Sequence, residues 1–389
     1  MRVLAITKIF PNLAEPLSAP FNRQQFSALA RRCELEVLAT IPWFPGAGLM
    51  ARWSSAGKLA RVPRREQIAG ISVSHPRTLF FPRLAHGAWG PLYAASIAPQ
   101  LARYRGKVDV VLGSWAYPDG FAAVIAGRLL GVPCVVKLHG SDINVMAKLP
   151  GPRRQTAWAL THAAGVVAVS RALADEVAAL GVPRDRISIV MNGVDAALFH
   201  VRDRAAARRE LGLPDGPLAL YVGNLKPEKG VLDLVAAWEQ VATALPDARL
   251  AMVGGGPMRT ALEAALPPRA TLLGPQPLEA VPAWMAACDV LVLPSHVEGT
   301  PNAVLEALAC GRRVVASAVG GVPDLITSDT VGALVPPRSP DALAAALTQA
   351  LRTGYAPEAV AEAGAHGGWE ASAAALYAVL AAAVDASVR

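Results

Sequence analysis

Residues 289–321 read Asp289-Val-Leu-Val-Leu293-Pro-Ser-His-Val-Glu298-Gly-Thr300-Pro-Asn-Ala-Val-Leu-Glu306-Ala-Leu-Ala-Cys310-Gly-Arg-Arg-Val-Val-Ala-Ser-Ala-Val-Gly-Gly321. The apolar, β-branched run Asp289 to Leu293 predicts a strand buried on both faces. Ser295 to Gly299 is polar and predicts a loop at the strand's carboxyl end. Thr300 and Pro301 suit an N-cap followed by Pro at the first helical position. Ala303, Val304, Ala307 and Leu308 then share one helical face, and Gly311 stops the helix. The product is a strand, a loop and an open helix N-terminus, where free N–H groups and the helix dipole favour an anion.

The same alternation of short Val/Leu/Ile/Ala runs and amphipathic segments fills the chain. Strands are expected at 3–7, 36–41, 71–74, 108–113, 134–138, 166–170 and 187–191. A second series is expected at 218–222, 249–253, 270–273, 289–293, 314–317 and 333–335. Such alternation implies α/β architecture with parallel sheets covered on both faces. Two series joined near 192–200 imply two Rossmann-like domains, 1–195 and 196–368, with a closing helical segment, 369–389, that crosses back to the first. Ligands in such folds bind at the carboxyl ends of strands, here in the expected cleft between domains.

At 389 residues, 53% hydrophobic and 17% charged, the chain has enough apolar surface for two cores. No apolar run is read as long enough to span a bilayer; the best, Ala371 to Val384, is 14 residues. With a strand expected from Val3, no signal peptide is expected ahead of it. The four cysteines, Cys33, Cys134, Cys288 and Cys310, form no Cys-x-x-Cys pair and read as reduced thiols of a cytoplasmic protein. Charge is uneven: residues 1–195 carry +12 and residues 196–389 carry −5. No nucleic-acid module accompanies the basic half. Its cations, Arg52, Lys58, Arg61, Arg64, Arg65, Arg77 and Arg83, interleave with Trp43, Phe44, Trp53, Phe80, Phe81, Trp89 and Tyr93. That mixture suits peripheral contact with an anionic membrane; packing of the rings on loops of the first domain is the alternative.

Glu298 and Glu306 bracket the helix N-terminus. Carboxylates accept strongly from hydroxyl groups, so a ligand with central phosphates and hydroxylated rings at both ends fits. A nucleotide-diphosphate sugar is such a ligand. Taken alone, a Glu pair of this kind is more often solvated surface. The stretch, however, resembles the Glu-x7-Glu signature of GT4-type retaining glycosyltransferases of GT-B fold, through Glu298, Gly299, Pro301, Leu305, Glu306, Ala307, Cys310, Gly311, Gly320 and Gly321. Arg313 and Asp324 depart from the usual Pro and Glu.

The resemblance implies further assignments. Leu138-His139-Gly140-Ser141-Asp142 is similar to the family's His-Gly-x-Asp motif, whose His approaches the donor sugar. Asn192-Gly193-Val194-Asp195 matches the domain junction. Tyr221 to Gly230 resembles the Gly-Arg/Asn-Leu…Lys-Gly loop that clamps the donor diphosphate; Lys229 matches its Lys, and Asn224 stands where an Arg is common. Gly254, Gly256 and Pro257 resemble a glycine turn near the donor. His139, Glu298 and Lys229 are therefore the candidate catalytic residues. Asn224, Gly254, Gly256, Gly299, Thr300, Pro301 and Glu306 are the candidate donor contacts. A long loop from Lys8 to Gln25 ahead of a helix at Phe26 to Arg32 places Asn22 and Arg23, with Asp142, on the acceptor side. No Asp-x-Asp is present, so neither a metal nor another cofactor is expected. The implied reaction moves a sugar to a glycan or lipid-linked acceptor. An epimerase or phosphorylase of the same fold, or a non-catalytic sugar-nucleotide binder, are the alternatives.

Overall fold

The computed structural model of the protein describes residues 1–16, 18–44, 55–79, 86–144 and 149–388. Two compact units emerge: Met1–Asn192 with Trp369–Arg389, and Gly193–Gly368.

Among the described residues the first unit has ten strands: β1 (Arg2–Thr7), β2 (Glu34–Ala39), β3 (Ile41–Trp43), β4 (Arg65–Ile68), β5 (Ile71–Ser74), β6 (Arg77–Leu79), β7 (Val110–Ser114), β8 (Cys134–Lys137), β9 (Gly165–Ala168) and β10 (Ile187–Ile189). Eight form one sheet in the order β10-β9-β8-β7-β1-β2-β5-β4, parallel except for the edge pair β4–β5. β3 and β6 pair separately. Successive side chains of a strand point to opposite faces. Along β1, Leu4 and Ile6 join one core with Val111, Val136 and Val166, while Val3 and Ala5 join the other with Val110, Leu112 and Val135. A sheet apolar on both faces needs helices on both.

One of those helices is Trp369–Val388. Trp369, Ala373, Leu376, Leu380 and Ala383 recur at steps of four and three and enter the second of these cores. This helix is longer than the 14-residue apolar run read from sequence, and by length and composition it suffices to cross a membrane. Its packed stripe belongs to the core of the first unit.

The second unit holds β11 (Leu218–Val222), β12 (Arg249–Val253), β13 (Ala270–Gly274), β14 (Val290–Leu293), β15 (Arg313–Ser317) and β16 (Gly332–Val335), all parallel, in the order β13-β12-β11-β14-β15-β16. Ala219, Tyr221, Leu250, Met252, Val290, Val292 and Val315 face one common core.

Two helix starts differ from expectation. The first helix is Pro20–Ala30, not 26–32. Pro20, with φ pre-set by its ring, starts it after Ala19 in the left-handed region (φ 43°), so Asn22 and Arg23 are helical. In the second unit the helix is Asn302–Ala309, with Pro301 rather than Thr300 as its N-cap. Strands β3, β4 and β6 were not foreseen; all three are short, β3 carries Pro42, and β4 and β6 are mixed in polarity. Of the aromatic and basic residues above, Arg52, Trp53, Phe80, Phe81 and Arg83 lie outside the described residues. Tyr93 is not a surface ring: it is 4% exposed, and its hydroxyl accepts from Thr40 (2.8 Å) and donates to Asp119 (3.3 Å). Arg77 is turned inward onto the carbonyls of Ala60 and Val62.

Candidate active site

In the second sheet the chain leaves β11 toward β12 on one side and reaches β15 from β14 on the other. The switch point is therefore between β11 and β14, at their carboxyl ends, where side chains of two loops can converge on a ligand. The loop after β11 supplies Lys229; the loop after β14 supplies Ser295 and Glu298. Lys229 Nζ lies 2.7 Å from Glu298 Oε1, and the Ser295 hydroxyl donates to the same oxygen at 2.6 Å. Glu298 is 8% exposed, whereas a quarter of the Lys229 side chain remains open. The two loops are locked together. His296 Nε2 is 2.7 Å from Asp233 Oδ2, and its backbone N–H donates to Glu228 O. Gly230 has φ +63°, and a Cβ there would stand 2.0 Å from Pro294 O.

Beside this pair the helix Asn302–Ala309 begins without a side-chain cap. The first-turn N–H groups of a helix have no partner within the helix, and such an end favours an anion. Gly299 accepts from Gly321 N–H at 2.8 Å, and Thr300 and Pro301 are buried. Glu306, one turn further, is partly open at its surface but otherwise surrounded by protein. Burial pushes its carboxyl up to about 7. Among the described residues it has no hydrogen-bond partner.

Asn224 is exposed. Its carbonyl is occupied by the Tyr221 hydroxyl (2.8 Å) and Lys226 N–H (3.0 Å), which pins the loop after β11. Lys226, another cation of this loop, is exposed and 3.9 Å from Glu228. Gly254 and Gly256 pack against the backbone of Gly223 and Leu225; a Cβ on Gly254 would be 1.9 Å from Gly223 O. These glycines let the β12 loop close onto the β11 loop.

The first sheet has its own switch point, between β1 and β7. His139, two residues past β8, is flanked there by Phe21 (ring centroids 4.9 Å) and Trp115 (5.9 Å, planes within 24°). Trp115 holds φ 125°, a conformation rarely kept by a bulky residue without a surrounding structure that enforces it. Lys8 Nζ sits 5.5 Å from the Trp115 ring. Asn22 Nδ2 donates to Ile9 O, so its Oδ1 accepts from Ser114 Oγ (3.1 Å). With its proton spent, Ser114 accepts from His139 Nε2 at 2.9 Å. That bonding assigns the His139 proton to Nε2 and leaves Nδ1 as a lone pair. Burial, then the nearby Lys137, holds the imidazole well below its usual range.

Asn22 and Asp142, placed on the acceptor side by the sequence reading, are fully buried. Asp142 accepts from the N–H groups of Ala116 (2.8 Å), Gly140 (2.8 Å) and His139 (3.2 Å). Both therefore build the His139 loop. Arg23 is half-buried and has no partner among the described residues. Sequence reasoning missed Lys8, Ser114, Trp115, Lys137 and Ser295; their one signal was position, at or just past strand carboxyl ends. Among the described residues no group of three or more His, Cys, Asp or Glu is placed to hold a metal.

Comparison with known proteins agrees across nearly the whole chain. Residues 28–198 match the family described as Glycosyltransferase Family 4, and residues 216–353 match Glycosyl transferases group 1. The teichuronic acid biosynthesis glycosyltransferase TuaC of Bacillus subtilis is 30% identical over 355 residues, 90% of this chain and 89% of that one. Sucrose-phosphate synthase from Thermosynechococcus elongatus superposes with a TM-score of 0.73 at 21% identity, covering 99% of this chain and 97% of that one. HepE of Anabaena, solved with UDP and glucose, gives 0.69 at 19% identity, covering 100% and 98%. With two parallel-sheet α/β units of GT-B type and these relatives, the chain belongs to the family 4, group 1 glycosyltransferases.

Proposed function

We propose that this glycosyltransferase moves a sugar from a nucleoside-diphosphate sugar to a glycan or lipid-linked acceptor, with retention at the anomeric carbon and without a metal. The observation that carries the reading is the Lys229–Glu298 pair at the β11/β14 switch point, set beside an uncapped helix N-terminus and the unpartnered Glu306. In this reading Lys229 and the helix start receive the diphosphate, whose charge grows as the glycosidic bond breaks. Glu298 accepts from the donor-sugar hydroxyls and Glu306 from the ribose. Asn224, Gly254, Gly256, Gly299, Thr300 and Pro301 shape the donor pocket.

His139 acts beside the donor sugar, and its neutral ring with a free Nδ1 lone pair suits an acceptor of hydrogen bonds rather than a proton donor. A donor phosphate oxygen takes the acceptor's proton, so no protein base is required. Residues 1–195 take the acceptor side and 196–368 the donor side. A UDP-type donor is supported by HepE, whose structures contain UDP, UDP with glucose, or UDP-glucose. A cell-envelope acceptor is supported by the name of TuaC. Exposed Lys58, Arg61, Arg64 and Arg65, with Trp43 at 40% exposure, support peripheral contact with an anionic inner-membrane face from the cytoplasm.

A panel of nucleotide sugars, scored for thermal stabilisation and for slow release of the free sugar, tests the reading. At least one is expected to do both; failure of every uridine, guanosine and adenosine diphosphate sugar to stabilise the protein would refute it.

The Glu306 carboxyl adds a pH test. Below about 7 it is protonated and offers the ribose a weaker acceptor; above, it is a carboxylate. The affinity for UDP-glucose, whose diphosphate does not titrate near neutrality, is expected to rise about tenfold between pH 6 and pH 8, tracking the ionised fraction of one group. Glu306→Gln is expected to flatten the profile. Calorimetric titration showing the same slope in both proteins contradicts the ribose assignment.

A further inference from the structure

Lys137 ends β8 with its side chain completely buried. Its ammonium donates to Gln25 Oε1 on the helix Pro20–Ala30. Gln25, also fully buried, donates from Nε2 to Ser372 Oγ at 2.9 Å on the C-terminal helix. The Ser372 hydroxyl in turn donates to Met191 O at 2.6 Å. A relay thus runs from the C-terminal helix, through the first helix, to the carboxyl end of a central strand.

Among the described residues the only ionisable group raising Lys137 is Asp142, from the segment Ser141–Asn144, and both Asp142 oxygens are already taken by backbone N–H groups. The other titratable neighbour is His139; Gln25 and Ser372, from the two helices, are neutral. Burial brings the ammonium down to about 7. A buried ammonium bound to one neutral acceptor is less stable than a packed apolar side chain of similar volume. Retaining it works against stability, a pattern expected where a residue serves function.

Lys137 reaches His139 by two routes. Its charge lies close enough to disfavour a proton on the imidazole. Its carbonyl accepts from Trp115 N–H at 2.9 Å, and Trp115 is the ring stacked on His139.

We propose that Lys137 is a positioning residue of the transfer reaction: the relay through Gln25 and Ser372 holds its buried ammonium at the end of β8, two residues before His139, where its charge acts on that imidazole. The reaction role rests on the function proposed for His139. A neutral ring keeps Nδ1 an acceptor, while Lys137, when protonated, adds positive potential beside it.

The test uses the full chain labelled with ¹⁵N-histidine and long-range ¹H–¹⁵N NMR. In the wild type the His139 midpoint is expected well below the usual histidine range. In Lys137→Met its midpoint is expected to rise measurably, with burial still holding it below the usual range. Thermal stability should hold or increase, because a buried charge is replaced by a thioether. With the nucleotide sugar the wild type hydrolyses fastest, kcat is expected to fall about tenfold with the donor KM within about twofold. Gln25→Met, which strips the ammonium of its acceptor, should move the midpoint the same way by less. An unchanged His139 midpoint in either folded variant overturns the coupling. A Lys137→Met protein of lower melting temperature overturns it too, since Lys137 would then be structural. His139→Ala with wild-type turnover would overturn the reaction role alone, leaving the NMR shift as an independent result.

Discussion

Glu298→Ala is expected to lower sugar turnover by about 10²- to 10³-fold while UDP still binds. Glu298 is buried, and one of its oxygens takes both the Lys229 ammonium and the Ser295 hydroxyl. In the proposed reaction it grips the donor-sugar hydroxyls, a contact that matters most when the sugar distorts as the bond to the diphosphate breaks. Removing it takes that grip away but also releases Lys229. The freed ammonium has nothing left to neutralise it except the incoming diphosphate, so UDP affinity should hold or increase. Lys229→Ala reverses the pattern: UDP binding and turnover fall together, and a carboxylate with one hydroxyl partner is left buried. The stability cost of Glu298→Ala should be modest, about 1–2 kcal/mol, because the pair is partly open to solvent on the lysine side. Turnover within about threefold of wild type in folded Glu298→Ala would remove the residue from the reaction. Loss of UDP binding in that variant would instead make the pair a structural clasp.

Asp142→Ala is expected to carry the largest stability effect, about 3–5 kcal/mol in the first unit, seen as a calorimetric transition lowered by about 10 °C. The carboxylate is fully buried and accepts from three backbone N–H groups, two of them at and next to His139. Alanine leaves all three donors in a dry interior with no acceptor, and such unmet groups cost more than the bonds themselves were worth. Asp142→Asn keeps one acceptor oxygen and should lie between. Because the bonds hold the His139 loop against Trp115, turnover should fall with stability in both. A melting temperature within about 2 °C of wild type for Asp142→Ala would mean the loop is held by other contacts, such as the Ser114–His139 bond.

The two-series pattern of apolar runs was legible because a parallel strand buried on both faces has little choice of composition: Leu218–Val222, Arg249–Val253 and Val290–Leu293 are each almost continuously apolar. β4 and β6 carry Arg, Glu, Gln and Thr at the rim of the unit, where no such constraint acts. The Glu298–Glu306 spacing was legible for a related reason: a strand, a loop and a helix occupy adjacent positions in the chain. Lys229 to Glu298 spans 69 residues and Ser114 to His139 spans 25. No local pattern encodes those meetings; they follow from which strands lie side by side.

Asn22 and Asp142 show the limit most plainly. Their residue types and motif neighbourhood read as ligand contacts, yet both are buried and saturated by protein groups. Local chemistry sets what a side chain is able to bond; tertiary packing sets whether a ligand or the protein itself gets there first. From the order of its residues alone this protein was bound to form two α/β units with loops gathered at strand carboxyl ends, since hydrophobic periodicity and turn residues act over short range. Only the folded sheets decided that Lys229 meets Glu298, that His139 is wedged between two rings, and that a lysine is stranded beneath it. Those pairings depend on strand order, which is a long-range choice made by burying both faces of each sheet at once.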